Sequence, residues 1–206
     1  ALALIAEASA EVPTGSFLVI APTSVVGNWV SEAQRFVPDL RAVAVTATEA
    51  KSGVSFAEQV DGAHIVVTSY TLLRLQFQQI SQFQWTGVIF DEAQFVKNHN
   101  SKTHQCARRL GAEMKLAITG TPMENNLMEL WSLLSLTAPG LFPSPKVFGD
   151  YFRKPIESGQ NPGRLEQLRQ RIRPVMLRRT KDQVVDDLPA KQEQVLAVGL
   201  AAKHDK

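Results

Sequence analysis

Five short runs rich in Val, Ile and Leu, each bounded by polar or turn residues, punctuate the chain at 17–21, 42–47, 64–68, 87–90 and 115–119. They lack the strict alternation of half-exposed strands, which predicts strands buried on both faces. Helix-like stretches lie between them at 25–36, 71–80 and 102–110, with Ser24 and Ser101 placed as N-caps of the first and last. Strand followed by helix, repeated, predicts an α/β fold in which a parallel sheet carries helices on both faces. In such sheets ligands sit beyond the carboxyl ends of the strands, so functional residues should follow the strands.

The pattern changes after Pro122. Residues 124–136 read as an amphipathic helix with Leu127, Leu130, Trp131 and Leu134 on one face. Pro139, Pro143 and Pro145 within seven residues predict a loop and a small boundary. Asn161-Pro162 supplies an N-cap and a first-turn proline for a helix to about Arg173, where Pro174 limits continuation. Residues beyond Pro189 read as a connector. At the other end, 1–8 reads as the inside of a helix with no cap before it, which suggests further sequence upstream.

The length of 206 residues suits one domain or one with an appendage, at about 150 residues each. With 22 Lys and Arg against 20 Asp and Glu, the net charge of +2 neither marks nor forbids a nucleic-acid binder. The single Cys106 excludes an internal disulfide and favours a reducing, intracellular setting. No apolar run approaches the ~18 residues of a membrane span, and the apolar opening lacks the basic flank of a signal peptide. No membrane partner is therefore expected.

The sharpest chemical signal is the run Val88-Ile89-Phe90 ending in Asp91-Glu92-Ala93-Gln94. In phosphate-cleaving folds an acid at such a strand end holds Mg²⁺, and its neighbour can orient or deprotonate the attacking water. Taken alone, the pair could equally cap a turn. Three other strand ends carry hydroxyls: Pro22, Thr23 and Ser24 with Asn28-Trp29 beyond, Thr68 and Ser69 before Tyr70, and Thr119-Gly120-Thr121-Pro122. Hydroxyls and free amides at helix starts suit phosphate oxygens, although ordinary caps and turns explain each one singly.

As an ordered set these segments resemble the first RecA-like lobe of Swi/Snf-type helicase-like ATPases, within helicase superfamily two. The matching register is Pro22-Thr23-Ser24 with Asn28-Trp29, Thr68-Ser69-Tyr70, Asp91-Glu92-Ala93-Gln94 with Lys97-Asn98, and Thr119-Gly120-Thr121-Pro122 with Glu124-Asn125 and Glu129-Leu130-Trp131. It continues through Arg173-Pro174, Leu177-Arg178-Arg179-Thr180-Lys181 and Leu188-Pro189-Ala190-Lys191. The segments after Thr121 look more like this family than like RNA helicases.

The resemblance implies a RecA-like lobe over 1–139, a helical protrusion over 140–185 and a connector over 186–206 toward a second lobe of the same full-length chain. It implies ATP and Mg²⁺ as cofactors and movement along double-stranded DNA without strand separation. Asp91 would help hold the metal, Glu92 would activate water, and Gln94 would link that chemistry to the DNA-bound state. Thr119, Gly120 and Thr121 would couple the lobes; Pro22, Thr23, Ser24, Thr68 and Ser69 would line the DNA backbone. The location implied is the cytoplasm or nucleoid of a bacterium, or a eukaryotic nucleus.

The departures are as informative. No Gly-x-x-x-x-Gly-Lys-Ser/Thr loop occurs in the chain, so the amides and Lys that cradle phosphates are absent from it. Residues 1–8 resemble the helix that follows that loop, which makes this chain the part of a first lobe after it and predicts that it is inactive alone. A rival from another class is a non-catalytic DNA- or protein-binding module built on the same lobe.

Two features stand apart. Arg164, Arg169, Arg171, Arg173, Arg178, Arg179 and Lys181 form a basic tract opposed by Glu166, either a solvated face or a contact for phosphate or a second lobe. His64, His99 and His104 lack the spacing and neighbours of a metal set.

Overall fold

The computed structural model describes residues 1–179. Residues Ala1–Arg171 form one compact unit, and a second begins at Ile172. Of the latter, the described part holds the short 3-10 turn Arg173–Val175. The Leu177 to Lys181 match lies partly outside the described residues, and the connector reading of 186–206 lies wholly outside them.

The sheet has five parallel strands: β1 Phe17–Ala21, β2 Ala42–Val45, β3 Ile65–Ser69, β4 Trp85–Phe90 and β5 Ala112–Ala117. Their order is β2-β3-β1-β4-β5, so β1 is central and the chain crosses it between β3 and β4. In register, Phe17 lies opposite Ile65 on one side and Gly87 on the other.

Burial of both faces explains the unbroken apolar runs of β1, β3 and β4, whereas the edge strands β2 and β5 are mostly half-buried and β5 carries the exposed Glu113. Leu18, Ile20, Val66, Val88 and Phe90 point into one core, while Phe17, Val19, Ile65, Val67 and Ile89 point into the other. The second face is covered by α1 Leu2–Glu11 and α2 Val26–Phe36, through Ile5, Val26 and Ala33. The first is covered more thickly. Between β2 and β3 lie the short helices α3 Glu49–Ser52 and α4 Phe56–Val60, the latter opened by a capping box of Ser55 and Glu58. Then come α5 Tyr70–Leu75, α6 Phe77–Ile80, α7 Lys102–Arg109 and α8 Leu127–Thr137.

Two local expectations are corrected. Ser101 caps α7 by accepting from the His104 amide, but Ser24 caps nothing; it lies inside a 3-10 turn, Thr23–Val25, that precedes an uncapped α2. Helix α8 is not amphipathic: Glu129, Ser132 and Ser135 are buried along with its leucines and Trp131. Sheet contacts take one side, and the segment beyond Pro139 takes another. There Trp131 donates its indole N–H to the Phe142 carbonyl, and Glu157 accepts from the Leu127 amide. That segment forms α9 Pro145–Phe148, a π-helical turn Gly149–Arg153 and α10 Lys154–Glu157, with Phe142, Phe148 and Phe152 packed edge to face, and then α11 Pro162–Ile172.

Candidate nucleotide and nucleic-acid site

Because all five strands run the same way, the loops after β1, β3, β4 and β5 emerge at one edge. Asp91 is the first residue past β4. Its amide donates to the Ile20 carbonyl at 2.8 Å, and its own carbonyl accepts from the Tyr70 hydroxyl at 2.7 Å. The acid is thus tied to β1 and to the start of α5. Burial, with the charges of Asp91 and Glu92 adding to it, holds the Tyr70 hydroxyl well above its ordinary pKa, so it stays a donor.

The Asp91 carboxylate is fixed from two sides. Oδ1 accepts the Glu92 amide at 3.0 Å, and Oδ2 accepts the Trp29 indole N–H at 2.7 Å. Glu92 itself sits at φ 47°, ψ 54°, the described non-glycine residue with positive φ. A left-handed glutamate costs about 1–3 kcal/mol, and such outliers gather where function holds them. The turn leaves Glu92 exposed.

From Glu92 a chain of hydrogen bonds runs to the next strand. Gln94 Nε2 donates to Glu92 Oε2 at 2.8 Å, Thr119 Oγ1 donates to Gln94 Oε1 at 2.9 Å, and the Thr121 amide donates to Thr119 Oγ1 at 3.1 Å. The backbone supports it: the Ile118 amide donates to the Phe90 carbonyl and the Ala93 amide to the Ile118 carbonyl. Gly120 and Thr121 stay exposed in the turn. Asp91, Glu92, Gln94, Thr119 and Thr121 therefore form one assembly across two adjacent strand exits.

A second clamp lies behind it. The Lys97 ammonium pairs with Glu124 and, at 3.5 Å, with Glu129. Burial opposes the Glu129 charge, but the Glu124 amide, the Asn125 side chain and amide, and Lys97 together hold its carboxyl below the usual value. These bonds fasten the loop after β4 to the start of α8.

The hydroxyl-bearing strand ends divide. Thr23 and Ser24 are exposed and Pro22 half-buried. Thr68 is 0% exposed; its position in β3 puts its side chain on the same face as Val66, and its hydroxyl donates to the Val45 carbonyl at 3.0 Å. Ser69 is buried and caps α5 by accepting from the Leu72 amide. The Thr68 hydroxyl thus bonds within the sheet, and the Ser69 oxygen caps a helix. In the basic tract, Arg164 stacks on Tyr151 at 3.6 Å, Arg171 lies over Phe152 at 5.5 Å, and Arg169 is 3.9 Å from Glu166. His104 is buried between the Val96 carbonyl and Ser135, and His99 packs on Trp131, both structural placements.

In the sequence Trp29, Tyr70, Lys97 and Glu129 stand out only as members of motifs, with no role assigned to them. Trp29 and Asp91 are 62 residues apart, and no local spacing signals their contact.

Comparison with known proteins identifies the family and the fold. The family model described as SNF2-related domain matches residues 1–206. YwqA of Bacillus subtilis, which carries the name of an ATP-dependent helicase/translocase, is 39% identical over 189 residues, 91% of this chain and 20% of that protein. The ISWI chromatin-remodeling complex ATPase CHR11 of Arabidopsis thaliana is 38% identical over 91% of this chain and 18% of its own length. The Sulfolobus solfataricus SWI2/SNF2 ATPase core in complex with dsDNA superposes with a TM-score of 0.78 at 33% identity, over 91% of this chain and 39% of that one. The chain thus spans about a fifth of the length of these curated relatives. Its α/β sheet, its ordered segments and these matches agree: the chain belongs to the SNF2-related domain family of helicase-like ATPases.

Proposed function

We propose that the full-length protein is an ATP-dependent motor that moves along or remodels double-stranded DNA inside the cell, and that this chain supplies the part of its first lobe lying after the phosphate loop. The observation that carries the reading is the acid pair at the exit of β4, wired through Gln94 to Thr119 at the exit of β5.

The residues fit a nucleotide-bound Mg²⁺. Such an ion takes one or two carboxylates and completes its shell with water and phosphate oxygens. Among the described residues no group of three or more His, Cys, Asp or Glu could hold a metal by itself, whereas Asp91 presents an oriented carboxylate with lone pairs to spare. When bound, Mg²⁺ would neutralise charge building on the phosphates. Asp91 would hold it, directly or through its water shell. Glu92, exposed and aimed by its left-handed backbone, would take the proton of the water attacking the γ-phosphate. Gln94, bonded to Glu92, would transmit the DNA-bound state, and the Thr119 to Thr121 turn would meet a second lobe. The phosphate-cradling amides and lysine would come from another segment of the same protein.

DNA would be met at Pro22, Thr23, Ser24 and neighbouring amides, through phosphate oxygens rather than base edges. No base-reading element is apparent among the described residues, so binding should be independent of sequence. With a few phosphate contacts, log affinity against log salt should have a slope of about −2 to −4.

Steady-state ATP turnover of the full-length protein, titrated with mixed-sequence duplex DNA at several salt concentrations, tests the reading. Turnover that rises with DNA and is lost as salt increases supports it. A full-length protein that binds DNA without hydrolysing ATP would leave the scaffold reading in its place.

A further inference from the structure

We infer that Trp29 is a positioning residue for Asp91, and that through it α2 reports contact at the 22–24 turn to the carboxylate that holds Mg²⁺. The inference rests on the role given to Asp91 above.

The Asp91 backbone is anchored by β1 and Tyr70, but its side chain is aimed from a different element. Glu92 supplies one donor from within the loop, and Trp29 supplies the other from the face of α2, at 2.7 Å. An indole N–H can only donate, so it orients a carboxylate without competing for a cation. Hydrogen bonds to a carboxylate are typically short, and this one measures 2.7 Å.

Trp29 is half-buried against the core that contains Ile5, Val26 and Ile89, which gives its ring a rigid seat. It lies in the first turn of α2, directly after the 3-10 turn Thr23–Val25 that exposes Thr23 and Ser24. Pressure on that turn therefore acts on the helix carrying the indole, and the direction of the carboxylate follows the indole. A misplacement of about 1 Å at a reacting centre can change a rate by about 10²-fold.

The other indoles serve the fold. Trp85 donates to the Ile80 carbonyl and Trp131 to the Phe142 carbonyl, both backbone partners. Trp29 alone among these three spends its N–H on a side chain at the candidate site. A merely structural Trp29 would lose some stability on substitution but leave metal dependence untouched.

The test uses the full-length protein with Trp29→Phe, which keeps the aromatic body and removes the donor. Nucleotide affinity is measured with Mg²⁺ and with chelator. We expect the gain in affinity conferred by Mg²⁺ to shrink about tenfold, on the scale of a charge-assisted hydrogen bond, with affinity in chelator unchanged. The Mg²⁺ concentration for half-maximal turnover should rise by a similar factor. An unchanged Mg²⁺ dependence in a folded Trp29→Phe protein overturns the inference.

Asp91→Asn separates the two claims. If it abolishes the Mg²⁺-dependent gain while Trp29→Phe does not, the positioning role fails and the reading of Asp91 stands. If Asp91→Asn retains the gain, the reading of Asp91 itself fails. Should Trp29→Phe not fold, wild-type protein labelled with 5-fluorotryptophan is used: Mn²⁺-nucleotide should broaden a fluorine resonance, and no broadening at saturation overturns the inference.

Discussion

The turn after β1 and the loop after β4 leave the same edge of the sheet, side by side, and differ in how their polar groups are used. In the β4 loop, Asp91, Glu92 and Gln94 are bonded to Trp29, to one another and onward to Thr119. In the β1 turn, Thr23 and Ser24 are exposed, and neither that turn nor α2 has a side-chain cap. The first arrangement is preorganised, as chemistry at a fixed centre requires. The second leaves donors free for an outside partner. Thr68 and Ser69 look like Thr23 and Ser24 in sequence, yet belong with the closed class.

The largest effect should come from the closed loop. Glu92→Gln keeps size and most hydrogen bonding but removes the base, so DNA-stimulated ATP turnover of the full-length protein should fall by roughly 10²-fold or more. Nucleotide binding, followed with a fluorescent analogue, should persist. Turnover near wild type would take Glu92 out of the mechanism.

Next comes the contrast between hydroxyls. Thr68→Val leaves the Val45 carbonyl without its donor in a fully buried place, which should cost about 1–3 kcal/mol in chemical denaturation. Thr23→Ala and Ser24→Ala should change stability by no more than about 0.5 kcal/mol. Equal stability losses would erase the distinction between open and closed ends.

A smaller effect concerns pH. Burial first, and then the neighbouring positive groups, lower the pKa of His104, while its bond to the Val96 carbonyl works the other way. The unfolded chain therefore takes up a proton at this site before the folded one does. The His104 contribution to stability is complete above the unfolded pKa of about 6.5 and is lost as pH falls below it toward the depressed folded value. Melting temperatures across that window should drop, and His104→Gln should flatten this part of the slope; an unaltered slope would exclude His104 as its source.

How far the sequence carries the fold follows from the same packing. The apolar runs locate all five strands to within a few residues, most closely in β1 and β3, where both faces are buried and apolar side chains dominate. They do not show which face a residue takes, so the inward turn of the Thr68 side chain is not legible in them. The helix over 124–136 was visible, but its burial on all sides was not, because Ser132 and Ser135 read as polar until Met128 and His104 are seen beside them. Helices α3 and α4 are too short to carry a period. In the candidate site, residue types at strand ends are legible, but the side-chain bonds that join one strand end to another span 21 to 62 residues and exist only in the fold.

ATP turnover of the full-length protein, measured against DNA concentration, tests the division most directly when the Thr23→Ala, Ser24→Ala double variant is set beside Glu92→Gln. The double variant should need several-fold more DNA to reach half-maximal stimulation and still attain the wild-type maximal rate. Glu92→Gln should lose the maximal rate with its DNA affinity unchanged, as followed by direct binding. If the double variant instead lost maximal rate at saturating DNA, or Glu92→Gln changed only the DNA requirement, the assignment of chemistry to the closed loop and contact to the open turn would be contradicted.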